Sequence, residues 1–400
     1  MSVLSKIDKE LARHNTQLFF VGGYVRDSIL GIVSKDIDII IPHIEINDLI
    51  YILKKFGKVD LVGKSFGVIK FKVKDVEFDV SVPRIEKSIG GKHTDFDVTV
   101  NKNITLEEDL KRRDFTINAI AMSLDGVTID PFNGIKDIKS RRIHTITEKS
   151  FTDDPLRMLR GLQFASRFGF KLSRTVSKEI KLNRHLLSNI SPERILIEFQ
   201  KGVKGNAKLF ASLLFKENIL TEIFTDLDSR LKERVRLIEK NISLPEFLVL
   251  LNIPSDECRS KLKITSRDFK IMKRFENLRS NLNTGSDLRV NRSLFELLSD
   301  FPELIDSKLI PSDISKSFKA GKFPKNMKEL KINGDDLLLI GFEGKEIGKM
   351  LDYVLSVIFA HLISNNKHDL IEHCTTVHKL YYDEDKQSET AQLVFSRLRD

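Results

Sequence analysis

Asp36 and Asp38 stand two residues apart in a segment that alternates: Asp36, Asp38 and Ile40 fall on one face, Ile37, Ile39 and Ile41 on the other. On a β-strand, side chains at i and i+2 leave the same face, so both carboxylates reach one divalent cation. A solvated edge strand would also accommodate two acids. The isoleucines instead mark a central strand, where like charges repel unless a cation neutralises them. Asp79, on the polar face of a later strand, is a candidate third oxygen ligand. Thirteen residues before Asp36 lies Gly23, in a Gly22-Gly23 pair that follows an apolar strand and opens a short helix. Paired glycines there let backbone N–H groups approach a phosphate, although an ordinary tight turn uses the same residues. A phosphate cradle before a two-carboxylate metal site fits nucleotidyl transfer, in which two metal ions activate a hydroxyl and stabilise departing pyrophosphate.

A second constellation is Asp154-Pro155-Leu156-Arg157. On a helix, i and i+3 project from one face, which sets an acceptor beside donors. Cytosine and adenine each offer an exocyclic amine to Asp154 and a ring nitrogen to Arg157. Uracil and guanine place a carbonyl oxygen against the carboxylate instead, so the pair accepts C and A and rejects U and G. An intrahelical salt bridge is the simpler alternative.

These groups need strands and helix starts to hold them. Leu18 to Val21 reads as a strand, Val25 to Leu30 as a helix ended by Gly31, and Asn47 to Phe56 as an amphipathic helix. Val68 to Val73 and Val76 to Val82 read as consecutive strands. Pro83 to Ile104, with Arg84, Glu86, Lys87 and Gly90-Gly91, reads as a long loop or loosely held hairpin. Thr105 and Glu108 form a capping box. Thr152-Asp153-Asp154-Pro155 starts a helix whose buried side carries Leu156, Leu159, Leu162 and Phe168, and Ser191-Pro192-Glu193 starts another. From about residue 152 the pattern stays helical. The fold class is α+β: an N-terminal mixed α/β domain followed by an all-helical remainder.

Composition sets bounds on this reading. Four hundred residues exceed one core, and 41% apolar content with 27 Phe excludes wholesale disorder. Lys and Arg number 66 against 57 Asp and Glu, and the formal charge of +9 suggests an anionic partner, nucleic acid first. Cys258 and Cys374 form no CxxC spacing, so a disulfide scaffold or zinc site is not expected and a reducing compartment fits. The polar N-terminus lacks a secretory apolar core, and the apolar stretch from Met350 to Ile363 is too short to span a bilayer. A soluble cytoplasmic protein with a charged tail from Asp383 is the expectation.

The segments LFFVGGYVRDSILG, KDIDIII, RRDFTINAIA, DPFNGIKDI, DDPLRMLRGLQFASRFGF and ISPERI, between residues 18 and 200, resemble the ordered motifs of class II tRNA nucleotidyltransferases, the CCA-adding enzymes. That family shares its catalytic domain with bacterial poly(A) polymerases, within the DNA polymerase beta superfamily. INGDDLLLIGFEGKEIGKML, from 332 to 351, resembles the family's C-terminal tail. The resemblance implies a nucleotidyltransferase head over 1–139, a nucleotide-recognising helical neck over 140–205, and a tRNA-binding body and tail over 206–400. It implies Mg2+ on Asp36 and Asp38, and triphosphate contacts from Gly23 and Arg26. Arg113 and Asp114 would lie beside the sugar and phosphates, Asp154 and Arg157 would read the base, and Arg160 would bind the nucleotide. The implied partners are tRNA, CTP and ATP, with no membrane and no stable protein partner. Asp153 stands where the family usually has Glu, and Gln163 where many members have Arg. No His-Asp phosphohydrolase motif appears. The Pro83 to Ile104 loop favours C, C, A addition or terminal A addition over CC-only addition. The mixed-charge tail makes poly(A) synthesis the runner-up, and a non-catalytic RNA-binding scaffold is a remote alternative. Gly344 to Gly348, with Lys345, is a candidate phosphate contact, and a plain helix start serves equally.

Overall fold

The computed structural model describes residues 3–34, 36–62, 68–88, 96–284 and 287–382. The chain divides into two compact units, Met1–Ser243 with Ser260–Lys263, and Leu244–Arg259 with Ile264–Asp400.

The first unit is built on a mixed sheet. Its elements run α1 (Val3–Ala12), β1 (Phe19–Val21), α2 (Gly23–Ile29), β2 (Asp38–Ile40), α3 (Ile46–Lys54), β3 (Lys58–Val62), β4 (Val68–Val73) and β5 (Val76–Ser81). They continue with β6 (Arg84–Ser88), β7 (Phe96–Val100), α4 (Leu106–Lys111), β8 (Ala121–Ser123), β9 (Thr128–Ile129), α5 (Gly134–Ser140) and β10 (Arg142–Ile143). The sheet order is β3-β4-β5-β2-β1-β8-β9. β2 therefore sits in the middle, as its isoleucines indicated, with Ile39 and Ile40 each 1% exposed. It runs parallel to β5 and antiparallel to β1.

Alternation in β4 and β5 turns Ile69, Phe71, Phe78 and Val80 into the core and leaves Lys70 and Asp79 on the opposite face. The register places Lys70 beside Asp79 and Asp79 beside Asp38, a row of three charged side chains across three strands. Asp36 precedes β2 and is not part of the strand, although the ladder begins at Ile37, whose carbonyl accepts from the Asp79 N–H at 2.9 Å.

Of the two readings of Pro83 to Ile104, loop or hairpin, the hairpin forms where the segment is described, β6 pairing antiparallel with β7 from Arg84↔Val100 to Ser88↔Phe96. Gly90 and Gly91 lie outside the described residues. The capping box forms as read: the Glu108 N–H donates to Thr105 Oγ1 at 3.2 Å, and the Thr105 N–H donates to Glu108 Oε2 at 2.8 Å.

Helices then take over: α6 (Ser150–Asp153), α7 (Leu156–Phe168), the short strand β11 (Lys171–Leu172), α8 (Arg174–Asn183) and α9 (Pro192–Lys216). The single helix start expected at Thr152 is two pieces. Thr152 and Asp153 end α6, Asp154 is extended (φ −143°, ψ 98°), and Pro155 precedes α7. A proline cannot continue the preceding helix because it lacks the N–H and clashes with the earlier turn. α7 buries Leu156, Leu159 and Leu162 and packs along α9. α9 breaks at Asn206, whose backbone leaves the helical region and whose Oδ1 accepts from the Leu209 N–H at 3.1 Å.

The second unit is helical, with its longer helices at Ser266–Thr284, Asp287–Asp300, Lys345–Phe359 and Lys367–Tyr382. Among the described residues no helix is long and apolar enough to cross a membrane. The tail from Asp383 lies outside the described residues. Both cysteines are buried and free, and burial pushes the Cys374 thiol up to about 12.

Candidate active site

The turn between β1 and α2 is where the chemistry-bearing groups meet. Gly22 adopts φ 68°, ψ −130°, a conformation that side chains rarely take. A Cβ there would sit 2.6 Å from Arg113 Nη1 and 3.6 Å from Asp38 Oδ2. Gly23 has ordinary φ, and a Cβ on it would lie 3.5 Å from Arg26 Nη2, an ordinary contact. Sequence reasoning singled out Gly23, but the backbone demand falls on Gly22. The signal was present, since the residue joining a strand directly to a helix is the one that must turn.

Asp38 is half-buried, and burial raises its carboxyl above the ordinary range; Arg113 and Lys70 oppose that shift, while Asp79 and Asp36 add to it. Asp36 is exposed. Asp79 Oδ1 lies 2.5 Å from Lys70 Nζ, an ion pair in which the lysine ammonium occupies the side of Asp79. Among the described residues no group of three or more ligating side chains is gathered for a metal. The donor set nonetheless suits a hard cation: two carboxylates, one desolvated beside a second carboxylate in register, are stabilised by divalent charge.

Next to this shelf stands a set of arginines. Arg113 Nη2 donates to Asp109 Oδ2 at 3.3 Å and Nη1 to the Asn118 carbonyl at 3.4 Å, while its Nε is buried without a hydrogen-bond partner among the described residues. Asp109, fully buried on α4, also accepts from Arg112 Nε and Nη2 at 2.9 and 2.7 Å. Arg26 is interior: Nε and Nη2 donate to Asp27 Oδ1 at 2.8 and 2.7 Å, and Nη1 donates to Asn118 Oδ1 at 2.6 Å. Its guanidinium also lies over Phe168 and Phe164, at 4.7 and 5.2 Å from the ring centroids. Burial lowers its affinity for the proton, and Asp27 offsets part of that.

Asp114 is buried and saturated. Oδ1 accepts from the Phe115 N–H at 2.8 Å and from Asn118 Nδ2 at 2.9 Å, and Oδ2 accepts from Arg160 Nε and Nη2 at 2.9 and 2.7 Å. Burial works against its ionisation, yet Arg160 and these hydrogen bonds outweigh it and hold the carboxyl below its ordinary range. Arg157 is anchored on carbonyls: Nη2 donates to the Arg112 carbonyl at 2.7 Å, and Nη1 donates to the Arg113 carbonyl at 3.4 Å and Ser150 Oγ at 3.2 Å. Asp154 Oδ1 accepts from the Leu156 N–H at 3.1 Å, and Oδ2 lies 3.4 Å from Arg194 Nη2.

The structure therefore brings Asp38, Asp79, Arg113 and Gly22 together on the sheet side. Asp114, Arg157 and Arg160 are tied to one another through the Arg112–Asn118 segment. Asp154 stands just ahead of α7, so it and Arg157 are not two positions of one helix face as the spacing suggested. Five residues to which the sequence reading gave no role hold these in place: Asp27, Asp109, Asn118, Arg194 and Glu198. Asp109 was legible at i−3 and i−4 from Arg112 and Arg113. Asn118 gave no signal for its bond to Arg26, which comes from another element, whereas Asp27 is the chain neighbour of the arginine it holds. Gly344 caps the Lys345–Phe359 helix with φ 52° and no side-chain cap, in the second unit.

The arrangement offers carboxylates for a hard cation, guanidinium groups around a backbone turn, and a carboxylate–guanidinium pair at a helix start. Comparison with known proteins gives these features a context. The family model for the poly A polymerase head domain matches residues 18–144, and that for the probable RNA and SrmB-binding site of polymerase A matches 169–231. The chain is 30% identical over 389 residues to a CCA-adding enzyme of Anoxybacillus flavithermus, covering 90% of this chain and 94% of the relative. It is 32% identical over 365 residues to that of Bacillus licheniformis, covering 85% and 88%. Its fold matches the crystal structure of the Bacillus stearothermophilus CCA-adding enzyme in complex with CTP, with a TM-score of 0.67, 25% identity and coverage of 94% and 97%.

Proposed function

The chain belongs to the family of CCA-adding enzymes, and from that membership we propose how its own residues carry out the family's reaction. It is a template-independent tRNA nucleotidyltransferase that adds C, C and A from CTP and ATP to the tRNA 3′ end and releases pyrophosphate. The observation that carries the residue assignment is the convergence at Gly22: carboxylate, guanidinium and a side-chain-free turn within a few ångströms.

Residues 1–139 act as the catalytic head, 140–205 as the nucleotide-recognising neck and 206–400 as the tRNA-binding body and tail, in the cytoplasm. The Gly22-Gly23 turn takes the triphosphate, which lies close because no Cβ keeps it away. Arg113 neutralises phosphate from beside the turn, where Asp109 and the Asn118 carbonyl fix its guanidinium. Arg26 contributes charge from behind Gly23, where Asp27 and the two phenyl rings fix it. Asp36 and Asp38 would hold Mg2+, while Asp79 lies in register beside Asp38 and is itself paired with Lys70. When bound, the metal supplies polarisation of the α-phosphate and a lowered pKa for the attacking 3′ hydroxyl. Asp114 holds Arg160 toward the nucleotide. Asp154 accepts from the exocyclic amine of C or A while Arg157, fixed on backbone carbonyls, donates to the neighbouring ring nitrogen. UTP and GTP meet a carbonyl oxygen against that carboxylate. The body and tail grip tRNA through Lys and Arg contacts to phosphates, without sequence readout.

The test is incubation of the purified protein with tRNA transcripts lacking CCA, lacking CA and lacking A, with each nucleoside triphosphate singly. C addition to the first two and A addition to the third is the expected pattern. Failure to add C to the first refutes it. Poly(A) synthesis is the second reading, favoured by the description of the matching head-domain family, and long A tails on unrelated RNA would establish it.

A further inference from the structure

The row Asp38, Asp79, Lys70 ends on a lysine that the reaction as derived so far does not use. Lys70 stands on β4, with Asp79 opposite it on β5 and Asp60 opposite it on β3. Glu77, two residues before Asp79, leaves β5 on the same face. Lys70 Nζ reaches both acids of β5, at 2.5 Å from Asp79 Oδ1 and 3.3 Å from Glu77 Oε1. Asp38 lies one strand further along the row.

The Asp79 side chain is 37% exposed as a whole, yet its Oδ1 is buried and receives no aligned hydrogen bond among the described residues. A desolvated carboxylate oxygen is costly unless a cation sits beside it, and Lys70 is that cation. The ammonium is gripped by two carboxylates, and its backbone is fixed in the ladder between β3 and β5. Its charge therefore stays beside Asp79. A divalent ion ligated by Asp79 Oδ1 would stand against this ammonium, and like charges at that range repel strongly when bulk water is shut out.

We propose that Lys70 is the fixed counter-ion of Asp79: it keeps that carboxylate out of the metal's ligand set, so that before nucleotide arrives the shelf takes one divalent cation, on Asp36 and Asp38. The proposal rests on the reading of Asp36 and Asp38 as the metal-holding pair. It gives the three carboxylates of the shelf two different jobs. Asp36 and Asp38 face the cation, while Asp79 is an internally neutralised neighbour.

The experiment titrates the full chain with Mn2+ by calorimetry, without nucleotide or tRNA. Wild type binds Mn2+, and Asp38→Asn abolishes that binding. Lys70→Gln releases Asp79 as an added carboxylate ligand and tightens Mn2+ about tenfold, since affinity for a hard cation follows the charge of its ligands. Lys72→Gln removes the same charge from the same face, opposite Glu77 rather than Asp79, and changes affinity by less than about threefold. The double variant Lys70→Gln with Asp79→Asn, in which both charges of the pair are gone, binds as wild type does. Unchanged affinity in Lys70→Gln, or an equal gain in Lys72→Gln, overturns the proposal. A marked loss in the double variant overturns it too, because Asp79 is then a ligand already in wild type. If Lys70→Gln alone folds poorly, the charge-balanced double variant decides by the same criterion. Mn2+ binding that ignores Asp38→Asn overturns the parent metal reading and this proposal with it, whereas binding through Asp38 with no response to Lys70→Gln overturns this proposal alone.

Discussion

Replacing Gly22 by alanine separates two glycines that look equivalent in the sequence. At φ 68° and ψ −130°, the backbone of residue 22 lies where an L side chain costs about 1–3 kcal/mol. The added Cβ also meets Arg113 Nη1 at 2.6 Å. That atom ends a flexible chain and gives way, so the stability cost is set by the backbone and the functional cost by Arg113. For a unit of this size the strain lowers the melting temperature by roughly 2–12 °C, taking about 2–4 °C per kcal/mol. A guanidinium shifted by about 1 Å from a reacting phosphate costs on the order of 100-fold in rate. Gly23→Ala is the internal control: its φ is ordinary and its Cβ clears Arg26 by 3.5 Å. It is expected to leave the melting temperature unchanged or slightly raised, by up to about 1 kcal/mol of reduced chain entropy. The assay is calorimetry of both variants with single-turnover C addition. If alanine at 22 melts like alanine at 23, the account of the turn is refuted.

Other outcomes follow from the same geometry. Asp38→Asn removes one of two carboxylates in register, so it is expected to melt higher than wild type in chelator while losing C addition; magnesium should raise the melting temperature of wild type and leave the variant unmoved. Asp114→Asn leaves Arg160 without its buried partner and is expected to cost about 3 kcal/mol, the lower end for a broken buried pair because Arg160 is one-third exposed. Since the folded state holds the Asp114 carboxyl below its unfolded value, its stabilisation is present above the unfolded value and lost as pH falls through the folded one. Acid melts should therefore converge for wild type and variant at low pH, and a constant gap contradicts the assignment. Arg157→Ala is expected to weaken CTP and ATP binding by about 1–3 kcal/mol, read by nucleotide titration, with unaltered affinity arguing against its role at the base.

How far the sequence carried can be judged from single residues. The isoleucines around Asp38 placed β2 at the centre of the sheet, because a strand apolar on its buried face and flanks needs neighbours on both sides. Thr105 and Glu108 announced the start of α4 by a rule confined to four residues. Asp154 misled the helical reading, since the i, i+3 rule applies within a helix and Pro155 splits this one. Gly22 lay one residue from the glycine chosen, at the junction of strand and helix where the turn falls. Asn118 and Arg194 fell within the quoted motifs, but their partners were invisible for a different reason. The first bridges Arg26 and Asp114, the second reaches Asp154 across 40 residues of chain, and pairings between distant elements leave no local pattern. The row Lys70, Asp79, Asp38 is intermediate: each residue was visible, but their adjacency needed the register.

The central claim, that this pocket builds CCA on tRNA and chooses its bases without a template, meets its most direct test in one competition. A tRNA transcript lacking CCA is incubated with the protein and all four nucleoside triphosphates at equal concentration, and the new 3′ ends are sequenced. The account predicts C, then C, then A, and no further growth. Incorporation of U or G at the first position, or an unbroken run of A, contradicts it.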